Sequence, residues 1–192
     1  MKGPFVHDVR RFAPLDPELG LAGALRLVRQ HFGLQALLAY RLGRWLLESR
    51  ASWWIWPIGW PAYFLASRFV RAAFDIRLHL SAKIGPGLYI GHFGGIELEH
   101  CRLGEGCSIA QSVRIGSREH SLGPVVERRV WIGAHATVTG PVRIGAGSTI
   151  SAGSVVTRDV PPGALCMGRP ARIARHGYDN RSLLGTIAEQ KV

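Results

Sequence analysis

VWIGAHATVTGPVRIGAGSTISAGSVV, residues 130–156, sets an aliphatic residue at every sixth position: Ile132, Val138, Ile144, Ile150 and Val156. A small residue often follows, as at Gly133 and Gly145, and another small or branched one sits four beyond, as at Ala136, Val142, Ser148 and Ser154. Working outward, the same spacing runs back through Ile115, Ile109 and Leu103, and then through Ile96, Ile90, Ile84 and Leu78. Two interruptions break it: one inserted residue around Glu99-His100-Cys101, and the stretch GSREHSLGPVVERRVW between Ile115 and Ile132. A six-residue unit makes one short strand and one turn, and three units close a triangular coil of about eighteen residues. The recurring aliphatic residue points inward and stacks on its equivalents, the small residues fill the corners, and neighbouring coils pair as parallel strands. The expectation is a mainly β fold, a left-handed parallel β-helix of about four to five coils over residues 76–162. Pro161-Pro162 is expected to end the stack. Function is expected near the two interruptions, since insertions into solenoid repeats map to functional loops.

Residues 1–75 form a different segment. Over 17–48, Leu34, Leu37, Leu38, Leu42 and Trp45 recur at three- and four-residue steps, which predicts helix. Asp16 or Pro17 would open it, and Gly33 would break or bend the pair. ASWWIWPIGWPAYFLAS, residues 51–67, holds Trp53, Trp54, Trp56 and Trp60 and no charge, between Arg50 and Arg68. A membrane span needs about 20 apolar residues, and this run is shorter and carries Pro57 and Pro61. Clustered Trp with flanking Arg suits peripheral contact with a membrane interface; the competing reading is a face packed internally or on a partner. Residues 163–192 form a C-terminal tail in which SLLGTIAEQKV reads as a short helix or a mobile end.

Composition narrows the function classes. Lys plus Arg outnumber Asp plus Glu by 24 to 13, giving a formal charge of +11, and only Lys2, Lys83 and Lys191 are lysines. This favours an anionic partner. Nucleic acid is set aside, because no recognition module or aromatic-basic strand pattern accompanies the charge. Cys101, Cys107 and Cys166 form no disulfide framework, which fits a reducing cytoplasm. MKGPFVHDVRRFAP at the start has no apolar signal core.

The motifs AKIGPGLYIGHFGGI (82–96), IAQSVRIG (109–116), the quoted repeat through Pro162, and GRPARI (168–173) resemble the hexapeptide-repeat acyltransferases, in particular their serine acetyltransferase-like branch. LLAYRLGRWLL in the lead-in is similar to that branch too, and short apolar lead-ins of this type occur in relatives that acetylate sugars of polysaccharides. The resemblance implies an acetyl-CoA-dependent O-acetyltransferase, a homotrimer, no metal, and His92 of GHFGG as the catalytic base. The residues agree with that role. His92 follows the inward Ile90 at a coil corner, Gly91, Gly94 and Gly95 leave space around it, and a neutral imidazole accepts a hydroxyl proton near neutral pH. The alkoxide would attack the thioester directly in a ternary complex. His120 in the long break is the second candidate base or acceptor contact, and His100 a weaker one; Glu97 and Glu99 are candidates to orient a histidine.

For the acyl donor, the resemblance points to Ser117, Gly133, Ala134, Ala152 and Gly153, with Arg172 for CoA phosphates. Arg77, Gly91 and Gly123 stand where serine acetyltransferases place an Asp, an Asp and a His, and Asp75 lies two residues before Arg77. A sugar hydroxyl is therefore the expected acceptor, with serine as the alternative. A carbonic-anhydrase-like metal site of the γ class would need three histidines on a metal, and the eight present include no H-x-x-x-x-H pair. A non-catalytic trimeric scaffold is disfavoured by the retained His92 and GRPAR.

Overall fold

The six-residue repeat becomes a stack of two- and three-residue strands in a computed structural model, which describes residues 4–12, 20–48, 55–91, 94–116 and 122–185. The strands are β1 (Ile76–Leu78), β2 (Lys83–Ile84), β3 (Tyr89–Ile90), β4 (Ile96–Leu98), β5 (Arg102–Leu103), β6 (Ser108–Ile109), β7 (Arg114–Ile115), β8 (Val125–Val126), β9 (Trp131–Ile132), β10 (Thr137–Val138), β11 (Arg143–Ile144), β12 (Thr149–Ile150), β13 (Val155–Val156), β14 (Leu165–Gly168) and β15 (Ala171–Arg175). They form three sheets, ordered β1-β4-β7-β10-β13, β11-β8-β5-β2 and β15-β14-β12-β9-β6-β3. Successive strands rotate through the three sheets, so the chain winds as a parallel solenoid of about four turns. This is the architecture the repeat predicts.

The inward rungs form a continuous core. Ile84, Ile90, Ile109, Ile115, Ile132, Val138, Ile144, Ile150 and Val156 are all buried. Each contributes about 1.5–3 kcal/mol of apolar burial. Val126 adds a rung inside the supposed long break: β8 pairs with both β5 and β11, so the loop ends earlier than Ile132.

Hydrogen-bond register also moves the first interruption. Leu78, Leu98 and Ile115 share one rung. Seven residues then separate Ile90 from Leu98, where five separate Ile109 from Ile115. The extra residues sit in the GHFGG corner, not at Glu99–Cys101, which is a shortened corner. Counting sixes could not place the insertion, because Ile96 and Leu98 both point inward from β4.

The proline pair does not end the stack. Val160 bridges to Ile144, and β14 pairs parallel with β12, aligning Cys166 on Ile150. The chain then turns back as β15, antiparallel to β14. Pro161 and Pro162 sit in a corner, where no ladder N–H is required.

Among the described residues four helices precede the first coil, α1 (Pro4–Phe12), α2 (Leu21–Gln30), α3 (Phe32–Glu48) and α4 (Trp56–Phe74); α1, α3 and α4 pack on β1 or β3, and α2 packs on α1 and α3. A fifth, α5 (Arg181–Gly185), follows the hairpin. The α2–α3 break falls at His31, and Gly33 lies inside α3, where a Cβ would strike the Ile90 carbonyl. Glycine is present for close approach, not to break the helix. The Trp-rich run is neither wholly internal nor wholly free. Within its described part, Trp60 and Tyr63 stack edge to face, while Ile58, Phe64 and Leu65 face outward. No described helix is long and apolar enough to cross a membrane.

Burial settles the cysteines. All three are free and buried, and burial pushes the Cys101 thiol up to about 12 and Cys107 to about 11. Their thiolates are scarce at pH 8, and the folded protein is expected to resist alkylation by iodoacetamide there. All three should react after denaturation; rapid labelling of Cys101 in the native state, read by mass spectrometry, would contradict the burial argument.

Candidate functional site

The corner between β3 and β4 is built by its flanks. His92 and Phe93 themselves lie outside the described residues, as do Ser117 and His120. Gly94 and Gly95 both take left-handed backbone, φ 96° and 65°, which side chains other than glycine rarely adopt. Gly94 N–H donates to the Phe74 carbonyl at 2.9 Å, and its own carbonyl accepts from Ser112 N–H at 2.7 Å. Gly95 N–H donates to Asp75 Oδ2 at 2.9 Å. The end of α4 therefore clamps the GHFGG corner. Asp75 commits its other oxygen to Arg77, 3.3 Å away, so its carboxylate braces the turn.

Gly91 and Gly123 differ from the branch for visible reasons. A Cβ at Gly91 would meet the Tyr89 ring at 2.8 Å, and that ring packs on Phe12 of α1. A Cβ at Gly123 would run into the His100 carbonyl. A histidine cannot enter at position 123 unless the 100–101 backbone moves. Gly123→Ala is expected to cost about 1–3 kcal/mol through overpacking. Urea unfolding measures it, and an unchanged midpoint would show that the corner yields freely.

Charges line the outer face of β1, β4 and β7. Register places Arg77, Glu97 and Arg114 side by side. Glu97 Oε1 lies 3.7 Å from Arg77, and Oε2 lies 3.5 Å from Arg114. His79, which the repeat pattern does not single out, stands 3.8 Å from Glu97 and 3.8 Å from Glu99. Glu99 also lies 3.8 Å from His100. Glu97 and Glu99 thus both face His79, which is not among the candidate bases. His79, Glu97 and Glu99 have cation-ligand spacing, with ligand atoms within 4.8 Å of one another. It is one imidazole and two carboxylates, not three histidines, and Arg77 and Arg114 already supply charge to Glu97.

Four of the six donor candidates share one edge. Gly133 and Ala134 follow β9, and Ala152 and Gly153 follow β12, one coil apart at the same corner that carries His92 after β3. Gly133 N–H donates to the Ile150 carbonyl at 2.8 Å, and Gly153 N–H to the Ala134 carbonyl at 2.7 Å. A Cβ on Gly133 would lie 2.6 Å from Ala152 N, so the coils touch backbone to backbone. At about 4.8 Å per strand, three steps put the β12 corner about 14 Å along the edge from the β3 corner. Arg172 is exposed on β15, paired with Met167. Arg169 reaches the edge directly, its Nε donating to the Gly153 carbonyl at 2.5 Å. Arg169 belongs to the GRPARI motif, but nothing in the six-residue pattern singles it out.

Residues 123–158 match the family described as bacterial transferase hexapeptide (six repeats). The chain is 37% identical over 158 residues to the serine acetyltransferase of Salmonella typhimurium, covering 79% of this chain and 54% of that one. It is 32% identical over 173 residues to the serine acetyltransferase of Mycobacterium tuberculosis, covering 86% and 70% respectively. Among solved structures, a serine acetyltransferase in complex with CoA superposes with TM-score 0.70 at 29% identity, covering 89% of this chain and 68% of that chain. The serine acetyltransferase of Vibrio cholerae superposes with TM-score 0.73 at 27% identity, covering 94% and 68%. The chain spans about half the length of several of the curated relatives it matches.

Proposed function

The chain belongs to the hexapeptide-repeat transferases, with the serine acetyltransferases as its relatives, and on that premise we propose that it moves an acetyl group from acetyl-CoA to a hydroxyl acceptor. The observation that carries this is the shared edge. The corner that follows β3, to which the sequence assigns His92, and the backbone ladder of Gly133, Ala134, Ala152 and Gly153 follow strands of one sheet. A slender, amide-rich pantetheine arm needs a backbone-lined track with no bulky side chains, and it must end at a base. Arg172 would meet CoA phosphates as a fork of donors. His92 would take the proton from the acceptor hydroxyl, and the oxygen would attack the thioester carbonyl. CoA then leaves as the thiol.

Serine is the acceptor favoured by comparison, because it is the acceptor in the relatives' names; that places it ahead of the sugar expected from the sequence. The sugar remains the second reading on one specific observation, the absence of room for a histidine at Gly123. Thiol release from acetyl-CoA, measured with L-serine and with a panel of sugars, separates them. Release with neither would remove the acyltransfer reading.

The proposal extends to assembly and placement. A homotrimer follows from the family, and sedimentation should give about three times the 21.0 kDa chain. The buried free cysteines support a reducing, cytoplasmic setting. Peripheral contact with an anionic membrane is supported by the outer stripe of α4, where Ile58 is 74%, Leu65 69% and Phe69 59% exposed. Between Glu48 and Asp75 the chain has three arginines and no acidic residue.

A further inference from the structure

Arg68 and Arg71 line a cleft that the reaction above leaves unused. It holds about 330 Å³ between α3, α4 and β1, and Tyr63, Ser67, Arg77 and His79 share its wall. Both arginines are exposed, and neither guanidinium meets an acceptor among the described residues. The acidic groups at the cleft are already engaged. Asp75 serves Gly95 and Arg77, and Glu97 is divided between Arg77 and Arg114. Positive charge is left in excess at the mouth. Deeper in, His79 Nε2 is buried without a hydrogen-bond partner, 3.8 Å from Glu97.

The location ties the cleft to the reaction. Val70, Arg71, Ile76 and Arg77 line it where α4 passes into β1. At that same junction the Phe74 carbonyl and the Asp75 carboxylate hold Gly94 and Gly95 of the GHFGG corner. A molecule seated in the cleft therefore touches the segment that clamps Gly94 and Gly95.

We propose that this cleft is a subsite for an oxyanion, phosphate or carboxylate, carried by the acceptor. The identity of the carrier rests on the acyltransfer reading; the anion site itself does not. Guanidinium is weakly hydrated and grips a planar or tetrahedral oxyanion through paired N–H groups, so two unpartnered arginines one turn apart suit such a group. The Tyr63 hydroxyl adds a neutral donor, while the Ser67 hydroxyl already donates to the Phe64 carbonyl at 2.9 Å. The acceptor is then an anionic hydroxy compound. The shared chemistry has two sources, a phosphorylated sugar or the carboxylate of an amino acid.

Calorimetry on the full chain tests this with inorganic phosphate, glucose 1-phosphate and L-serine as probes. The proteins are the wild type and Arg68→Gln/Arg71→Gln, with CoA binding as the control for fold. At least one probe should bind the wild type, and its affinity should fall about tenfold or more in the double variant, as expected for loss of charged hydrogen bonds. CoA affinity should stay unchanged. Loss confined to the phosphate probes identifies a phosphorylated acceptor, and loss confined to serine identifies the carboxylate. Equal affinity in both proteins, or no binding by any probe, overturns the proposal. Should the double variant unfold, Arg68→Gln alone carries the same comparison. Intact anion binding without thiol release from acetyl-CoA would leave the subsite standing and remove only the donor reading.

Discussion

Replacing His92 by alanine is expected to lower kcat for thiol release from acetyl-CoA about 10²–10⁴-fold, the range in which a positioned general base acts. The loss should fall on kcat more than on the KM for acetyl-CoA, because the imidazole meets the proton in flight and not the bound CoA. The base is needed because a neutral hydroxyl is a poor nucleophile toward a thioester. The role proposed for His92 belongs to one corner. The β3–β4 turn is the place in the described solenoid where two residues enter a corner and two left-handed glycines follow. Asp75, Phe74 and Ser112 fix its backbone. Alanine removes the ring and leaves those clamps untouched, so the variant should fold and bind CoA as the wild type does. His120→Ala is the comparison, since His120 lies in the second loop; a larger loss there would transfer the base to that loop. Full turnover by His92→Ala would end the assignment.

The solenoid was legible because its signal is redundant. A dozen aliphatic positions at one period leave little room for another fold, and those in the described rungs are buried or nearly so. What the period could not resolve was register. Val126 was hidden because a loop interrupts the count before it, and Ile96 masked Leu98 as the rung residue because both face inward. Hydrogen bonding between coils decides such cases, and a single chain read linearly carries no trace of it. Pro161-Pro162 misled for a related reason. Proline stops a ladder only where its N–H is needed, and at a corner it is not.

The candidate site divides in the same way. The small residues proposed for the donor track stand out in the sequence by their size, and at Gly133 over Ala152 that size lets adjacent coils touch backbone to backbone. His79 was not legible, because it sits just after a rung as many solvated residues do. Its carboxylate partners Glu97 and Glu99 come from the next coil, about twenty residues away in the chain. Arg68 and Arg71 read as flanks of an apolar run until α4 folded them against β1.

Asp8→Ala is expected to destabilise the protein by about 3–5 kcal/mol, the cost of orphaning a buried partner in an ion pair. Asp8 is 0% exposed, although it lies on a short helix near the start of the chain. Its Oδ2 accepts from Arg41 Nε at 2.9 Å. Its Oδ1 accepts from Gly87 N–H at 2.7 Å and Leu88 N–H at 3.2 Å, in the turn between β2 and β3. Arg41 in turn donates to the carbonyls of Ile84 at 2.7 Å and Gly85 at 2.6 Å. One carboxylate thus joins α1, α3 and the first coil. Alanine leaves a largely buried guanidinium without its counter-charge and two backbone N–H groups without acceptors, and each of these carries a desolvation cost. Asp8→Asn keeps one acceptor oxygen and the shape, so a smaller loss of about 1–3 kcal/mol is expected. Denaturant unfolding measures both, and Asp8→Ala/Arg41→Leu closes the cycle. If the double variant recovers stability relative to Asp8→Ala, the penalty belongs to the stranded charge. A loss below about 1 kcal/mol for Asp8→Ala would instead mean that the helical cap rests on apolar packing and not on this pair. The two outcomes differ for function as well. The cleft of Arg68 and Arg71 has α3 as one wall, and the Asp8–Arg41 pair joins α3 to the first coil beside the Tyr40 hydroxyl, which donates to the Ala82 carbonyl at 2.6 Å and accepts from Ile84 N–H at 3.2 Å. A cap held by that pair keeps the cleft at a fixed distance from the GHFGG corner; a cap held by packing alone would let α3 shift and the cleft change shape.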